Sequence, residues 1–558
     1  MSWLDPVFAC DFYKMHHKFQ YPSGSQVIYA NFTPRSNRLS KGIDGKPIDK
    51  IVWVGLQGFI KWFLIDHFNK YFFNRPIDQI VSKLKRRMGP DYDTTHFEEL
   101  HSLGYLPIVI KSLPEGSVVD MKIPVMTVYN TLPDQQFAVF WVTNFLETAL
   151  SNELWPTTTV ASIAYEYRKL LERYAAKTGS PKDFVLWQGH DFSYRGVEGL
   201  MAAFMNFGHL TSFLGTDTIP AIDYAEEYYD GLNTFVGGSV YATEHSVMCA
   251  GGKESEIDTY RRIMSEVHPT GVVSIVSDTW DFWKVVGGPD SIAAQLKDVI
   301  MNRQPDAIGL NKVVFRPDSG DPVEILCGIK YTELDSGAEL PHWTDLEEIL
   351  VDFVKIGDTY HEIFWDYDDY GDVQGYSLDK TNHTDYSAKG AVECLWDIFG
   401  GTITETGHKL LDCHVGLIYG DSITLDRANK ILKNLEAKGF ASANVVFGIG
   451  SYTYQYNTRD TFGFAMKATW ALIDGEDHEL FKDPVTDSGV KKSAKGLLRV
   501  ELEDGKFVLY DQQNEFGEML GELQPVFING NLVNETSLEK IREKVNQSLL
   551  TELASVVK

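Results

Sequence analysis

Six short apolar runs recur along the middle of this chain, and each is followed at once by a cluster of glycine, aspartate, serine or threonine. The runs occupy residues 184–188, 211–214, 272–276, 312–315, 414–419 and 444–447. The clusters behind them are Gly-His-Asp-Phe-Ser-Tyr-Arg-Gly, Gly-Thr-Asp-Thr, Ser-Asp-Thr, Arg-Pro-Asp-Ser-Gly, Gly-Asp-Ser and Gly-Ile-Gly-Ser. Near-continuous apolar character marks strands buried on both faces, as in a parallel sheet or barrel. In β/α barrels the functional groups gather at the C-terminal ends of different strands, so the recurrence predicts one site built from many tips. A single cluster is ordinary turn or helix-cap chemistry. Six in series, some carrying Arg or His, are not explained that way.

The flanking regions have another rhythm. Up to about residue 150, strand-like pieces such as Ile51-Val-Trp-Val and Leu106-Pro-Ile-Val-Ile-Lys mix with an amphipathic stretch over 137–150. Beyond about Phe462 the chain returns to strand-like pieces and turns, then ends in a polar helix from Ser537 onward, read as a surface element. The prediction is an α/β chain: a β/α barrel over 151–461, and an α+β domain formed by 1–150 and 462–558. An acidic, aromatic insertion is expected at about 327–389. Its Trp365-Asp-Tyr-Asp-Asp-Tyr-Gly-Asp run superficially resembles a calcium loop, but Tyr370 stands at a ligand position and Ser377 where the bidentate Glu belongs, so no calcium site is predicted.

With 558 residues, 44% of them hydrophobic, the chain can bury a large core. A formal charge of −27 argues against a broad nucleic-acid or membrane surface, both of which need basic patches. The absence of a long apolar run and of a signal-peptide pattern leads to a cytoplasmic reading. The five cysteines (Cys10, Cys249, Cys327, Cys394 and Cys413) are scattered and form no C-x-x-C pair, so they read as reduced thiols.

Several clusters carry candidate chemistry. Arg316 and Asp318 are held two residues apart on a stiff turn, which suits a phosphorylated sugar and equally suits a structural salt bridge. Gly448-Ile-Gly450-Ser451 offers backbone N–H groups to a phosphate, or makes a tight turn. His190-Asp-Phe192-Ser-Tyr194-Arg195-Gly joins aromatic rings to a cation, although those rings also suit a core. His245, after Glu244, and the more isolated His209 are either functional or structurally bonded.

Ten stretches taken together are specific: Asp11-Phe-Tyr13-Lys, Val54-Gly-Leu-Gln57, Gly104-Tyr-Leu-Pro-Ile, Leu113-Pro-Glu-Gly116, the 190–196 cluster, Gly215-Thr-Asp217-Thr, Ala242-Thr-Glu-His245-Ser, Val276-Ser-Asp278, the 316–320 cluster and Phe481-Lys-Asp-Pro. In kind and order they resemble the nicotinamide phosphoribosyltransferase family, a type II phosphoribosyltransferase family, over nearly the whole chain except the insertion. The resemblance implies an irregular β/α barrel flanked by a second domain, in a head-to-tail homodimer with shared sites. It implies that Phe192 and Tyr13 of the partner subunit sandwich the pyridine ring, that Ser239 and Val240 line its pocket, and that Asp217 accepts a hydrogen bond from the carboxamide. Arg195, Arg316 and His245 would face the diphosphate. Asp278 and Asp318 would hold ribose hydroxyls or waters on magnesium. Gly420, Asp421, Gly450 and Ser451 would receive the ribose and its 5′-phosphate, with Arg35, Arg459 and Lys467 of the partner subunit adding positive charge.

The implied reaction is attack of the pyridine nitrogen on C1 of phosphoribosyl pyrophosphate, with His245, Asp278, Arg316 and Asp318 as the catalytic set, Mg2+ as cofactor and ATP as a co-substrate that phosphorylates His245. Two positions depart from the family pattern: Ser451 replaces a second glycine, and Ala465 replaces a serine near the phosphate. The rival expectations are nicotinate phosphoribosyl transfer on the same fold and a non-catalytic nucleotide-binding barrel.

Overall fold

The structure, a computed structural model, describes residues 4–133, 138–335, 337, 341–348, 351–420, 422–481 and 494–556. The chain forms two compact units, one of Met1–Lys169, Ser193–Gly237 and Ser451–Lys558, the other of Leu170–Phe192 and Gly238–Gly450. These bounds differ from the predicted divisions at 150 and 461, for a reason visible in the core. Helix Glu147–Thr178 runs through residue 150, and its Ala161 and Tyr165 are buried with Val52, Phe207, Tyr224 and Tyr229.

The second unit contains six parallel strands: β1 (Gly189–Asp191), β2 (Tyr241–Ala242), β3 (Val273–Val276), β4 (Val313–Arg316), β5 (Val415–Tyr419) and β6 (Val445–Ile449). Their order across the sheet is β1-β6-β5-β4-β3-β2, so successive strands from β2 onward are neighbours and β1 lies beside β6. That is the curled parallel sheet expected of a β/α barrel. β3 to β6 form where the apolar runs predict them.

Two other runs do not form strands. Residues 185–188 make a helical turn, and the strand begins at Gly189. Gln188 explains the difference: its buried side-chain amide donates to Ser442 O at 2.6 Å and Val445 O at 3.0 Å, which satisfies the polar group in a helical setting. Residues 211–214 form a turn after helix Phe207–Leu210, with Thr211 Oγ1 donating to Gly208 O at 2.7 Å, and the strand is Gly215–Thr216. In both places the polar tip itself is the strand.

The insertion forms a sheet of its own, ordered Tyr331–Leu334, Phe353–Ile356, Thr359–Tyr367 and Val373–Lys380. Leu346, Val354 and Ile363 make its core, with Trp365, Tyr376 and Leu378 against them. The acidic run that resembles a calcium loop is the hairpin turn: Asp368 Oδ1 accepts from the backbone N–H of Tyr370 and of Asp372, each at 2.9 Å.

In the first unit an antiparallel sheet interleaves the two ends of the chain, as predicted. Strand Ser25–Thr33 pairs with Ala465–Ile473 on one side and Met126–Asn130 on the other, and Ile108–Ser112 then pairs with Gln524–Ile528. The terminal helix Leu538–Val556 is not the surface element its polar composition predicts. Leu538, Ile541, Val545 and Leu549 form an apolar stripe at helical spacing and are buried in the core of this unit. Among the described residues, no helix is long and apolar enough to cross a membrane.

Candidate active site

Adjacent parallel strands deliver their last residues side by side, and the register of β3 with β4 does this for the central charged groups. Arg316 ends β4 and pairs with Val276, so Asp278 and Asp318, each two residues further on, emerge together. Asp318 donates its backbone N–H to Asp278 Oδ2 at 3.0 Å, and the Ser319 hydroxyl donates to the same oxygen. Asp278 Oδ1 faces His245 Nε2 at 3.3 Å. The Asp278 side chain is 6% exposed, whereas His245, at the start of helix His245–Ala250, is 48% exposed. A buried carboxylate thus ties an open imidazole to the Arg-Pro-Asp-Ser-Gly turn.

Arg316 is gripped at both ends. Its Nε lies 3.3 Å from Asp318 Oδ1, and a terminal nitrogen donates to Thr243 O at 3.0 Å. Thr243 also accepts the Val276 N–H through Oγ1 at 2.9 Å, which binds the end of β2 to β3. The guanidinium is therefore pre-organised, as anion recognition requires. The ligand atoms of His245, Asp278 and Asp318 lie within 4.8 Å of one another, close enough to surround one cation. Both carboxylates are hard oxygen donors of the kind magnesium prefers. Asp278 already accepts two hydrogen bonds, which favours contact through water.

Gly420 follows β5 against Asp318, and Gly450 follows β6. Ser422, in the same tip as Gly420, adopts φ 53°, a left-handed conformation that costs a non-glycine residue about 1 kcal/mol or more and clusters at functional sites. Asp421 lies outside the described residues, as do positions 482–484 of the Phe481 motif. At the tip of β1, Phe192 N donates to Ile449 O at 3.0 Å, and its ring lies 4.5 Å from that of His190. Ser239 Oγ is 3.4 Å from His190 Nε2, so Phe192 and Ser239 share a neighbour, and Val240 follows with its side chain exposed.

The remaining predicted residues belong to the first unit. Arg195 and Asp217 are exposed, the latter directly after Gly215–Thr216. His209 is structural: buried, it accepts from the Tyr454 hydroxyl at Nδ1 (2.6 Å) and donates from Nε2 to Gly215 O (2.9 Å), holding the strand that presents Asp217. Ser451 Oγ lies against Gly196, where a Cβ would approach it to 2.0 Å, so the serine fits only because residue 196 is glycine. Ala465 is buried opposite Thr33. Tyr13 is 58% exposed, and Arg459 and Lys467 are also exposed. Arg35 donates from Nε to Gly463 O at 3.0 Å; burial, then the positive charge of Arg459, lower its pKa.

Thr243 and Ser319 have no role in the sequence prediction, although both lie within quoted motifs. Their contribution is a main-chain carbonyl and a short hydroxyl contact, neither of which residue type alone announces.

Residues 187–530 match the Nicotinate phosphoribosyltransferase (NAPRTase) family. A nicotinamide phosphoribosyltransferase of Acinetobacter baylyi is 51% identical over 552 residues, covering 98% of each chain. One of Mycoplasma pneumoniae is 30% identical, covering 87% of this chain and 93% of its own. The crystal structure of nicotinate-nucleotide pyrophosphorylase from Pyrococcus furiosus shares the fold, with a TM-score of 0.51 at 13% identity over 98% of this chain and 95% of that one.

Proposed function

Because the chain belongs to the nicotinate phosphoribosyltransferase family, we propose that it transfers the phosphoribosyl group of phosphoribosyl pyrophosphate to nicotinamide, giving nicotinamide mononucleotide and pyrophosphate in NAD salvage. The observation that carries this reading is the full-length likeness to the Acinetobacter baylyi nicotinamide enzyme.

In the reaction, the lone pair of the pyridine nitrogen forms a bond to C1 of the ribose as the bond from C1 to the pyrophosphate oxygen breaks, and the electron pair leaves with pyrophosphate. Positive charge develops on the ribose, which Asp278 and Asp318 stabilise, while Arg316 draws the negative leaving group. Asp278 and Asp318 would also hold magnesium through water, and that ion when bound supplies charge that neutralises pyrophosphate. Phe192 and Tyr13 of the partner subunit take the ring, Ser239 and Val240 line it, and Asp217 takes the carboxamide N–H. Arg195 joins the phosphate-facing set, with Gly420, Asp421, Gly450 and Ser451 on the ribose phosphate. The reading includes a cytoplasmic homodimer in which Arg35, Arg459 and Lys467 of the partner subunit offset the acidic surface.

ATP enters through His245. Asp278 holds a proton on Nε2, leaving the Nδ1 lone pair to take the γ-phosphoryl group and release ADP. Later hydrolysis of that phosphohistidine would assist turnover.

The test is pyrophosphate release by purified protein with magnesium and phosphoribosyl pyrophosphate. Release with nicotinamide and little with nicotinate is expected. The reverse preference makes it a nicotinate enzyme, and inactivity with both bases makes it a binding barrel.

A further inference from the structure

Beneath the tips of β3 and β4 lies a second, fully buried layer. Ser277 sits between Val276 and Asp278 with no exposed surface. A serine hydroxyl has one proton to donate and two lone pairs to fill. Here all three are used: Oγ donates to Ile275 O at 2.7 Å, accepts from the Tyr260 hydroxyl at 2.8 Å, and accepts from the Arg316 backbone N–H at 3.3 Å. The backbone N–H of Ser277 in turn donates to Arg316 O at 2.8 Å. The ladder between the two strands is thus continued past its last residue pair by a side chain, one residue before Asp278.

Tyr260 supplies the other end of this arrangement. It lies on helix Glu256–Arg262, is buried, and its ring lies 6.4 Å from that of Phe315 at an interplanar angle of 27°. Its hydroxyl has a single proton, and Ser277 receives it. Removing that oxygen leaves the Ser277 lone pair unfilled in a site closed to water. The serine hydroxyl then loses one of its three restraints and is held only by Ile275 O and the Arg316 N–H. Arg316 is bonded into this joint through its own backbone and Asp278 follows it by one residue, so the joint sets their separation and with it where the leaving group and the ribose sit relative to each other.

We propose that Tyr260 and Ser277 are positioning residues for the phosphoribosyl transfer, a buried strut that sets the spacing of Asp278 and Arg316 without touching substrate. The inference rests on the reaction proposed above, and it assigns the pair to the chemical step and not to base binding.

The test compares wild type, Tyr260→Phe, Ser277→Ala and the double variant by steady-state kinetics with nicotinamide, at a temperature where circular dichroism shows each to be folded. Tyr260→Phe is expected to lower kcat about tenfold with KM for nicotinamide held within about twofold. Because the two groups act as one unit, the double variant should be no worse than Ser277→Ala alone. Should Ser277→Ala fail to fold, Tyr260→Phe carries the test through its split of kcat from KM. A wild-type kcat in Tyr260→Phe, a loss confined to KM, or losses that multiply in the double variant would each overturn the strut. A wild-type protein inert with nicotinamide fails earlier in the same assay, and it removes the proposed reaction and the strut together.

Discussion

Gly420 and Asp318 occupy one space: a Cβ placed on Gly420 would stand 2.1 Å from Asp318 Oδ1 and 3.3 Å from Arg316 Cδ. No rotamer of an alanine relieves this, because Cβ is fixed by the backbone. Gly420→Ala must therefore displace the Asp318 carboxylate from its place beside Arg316. A displacement of about 1 Å in such a group typically costs about a hundredfold in rate. The expected result is a kcat/KM about two orders of magnitude below wild type with a nearly unchanged melting temperature, read by pyrophosphate release and thermal denaturation.

Asp217 is exposed at the end of the strand that His209 holds. In the proposed reaction a carboxylate there would repel nicotinate and accept from nicotinamide. Asp217→Ser removes the repulsion and keeps a small polar group. The ratio of kcat/KM for nicotinamide to that for nicotinate should fall by about tenfold or more. An unchanged ratio would move base selection to another residue.

His96 is buried among Phe19, Phe97 and Trp141, and burial lowers its pKa from 6.5 to about 3. The unfolded chain binds a proton there below pH 6.5, while the folded one resists until about pH 3. The stability carried by this neutral ring is therefore full above pH 6.5 and is lost as pH falls toward 3, by up to ~1.4 kcal/mol per pH unit. His96→Phe keeps the aromatic volume and removes the titration. Between pH 7 and pH 5 the unfolding free energy from urea titrations should fall less for the variant than for wild type, by about 2 kcal/mol.

Arg542 on the terminal helix donates to Leu210 O at 2.7 Å, Phe235 O at 2.8 Å and Val236 O, and reaches Phe213 O at 3.5 Å. Burial pulls its pKa down to about 10. Arg542→Ala strands these carbonyls and should cost about 3 kcal/mol in urea unfolding. Arg542→Lys should recover only part, since an ammonium cannot span the same fork. Equal stability in all three proteins would show that water replaces the guanidinium.

Periodicity identified the barrel where strands are four residues or longer and apolar, as at Val273–Val276 and Val445–Ile449. It failed where strands are only two or three residues long, as at Gly189–Asp191 and Tyr241–Ala242. Such strands are made by their neighbours' hydrogen bonds, and no local pattern records a neighbour. The terminal helix failed for a related reason: a stripe of four apolar residues reads as amphipathic surface until a core is there to receive it.

By itself, the sequence determined the run of strand tips, the charged residues they carry and the family to which they belong, because residue type and order along the chain are local information. Tertiary structure alone decided that Asp318 and Ser319 spend their donors on Asp278, that Thr243 lends Arg316 a carbonyl and that Gly420 must stay bare. Each of these is a distance between strands separated in the chain, set by the register of β2, β3, β4 and β5, and register is a property of the folded sheet.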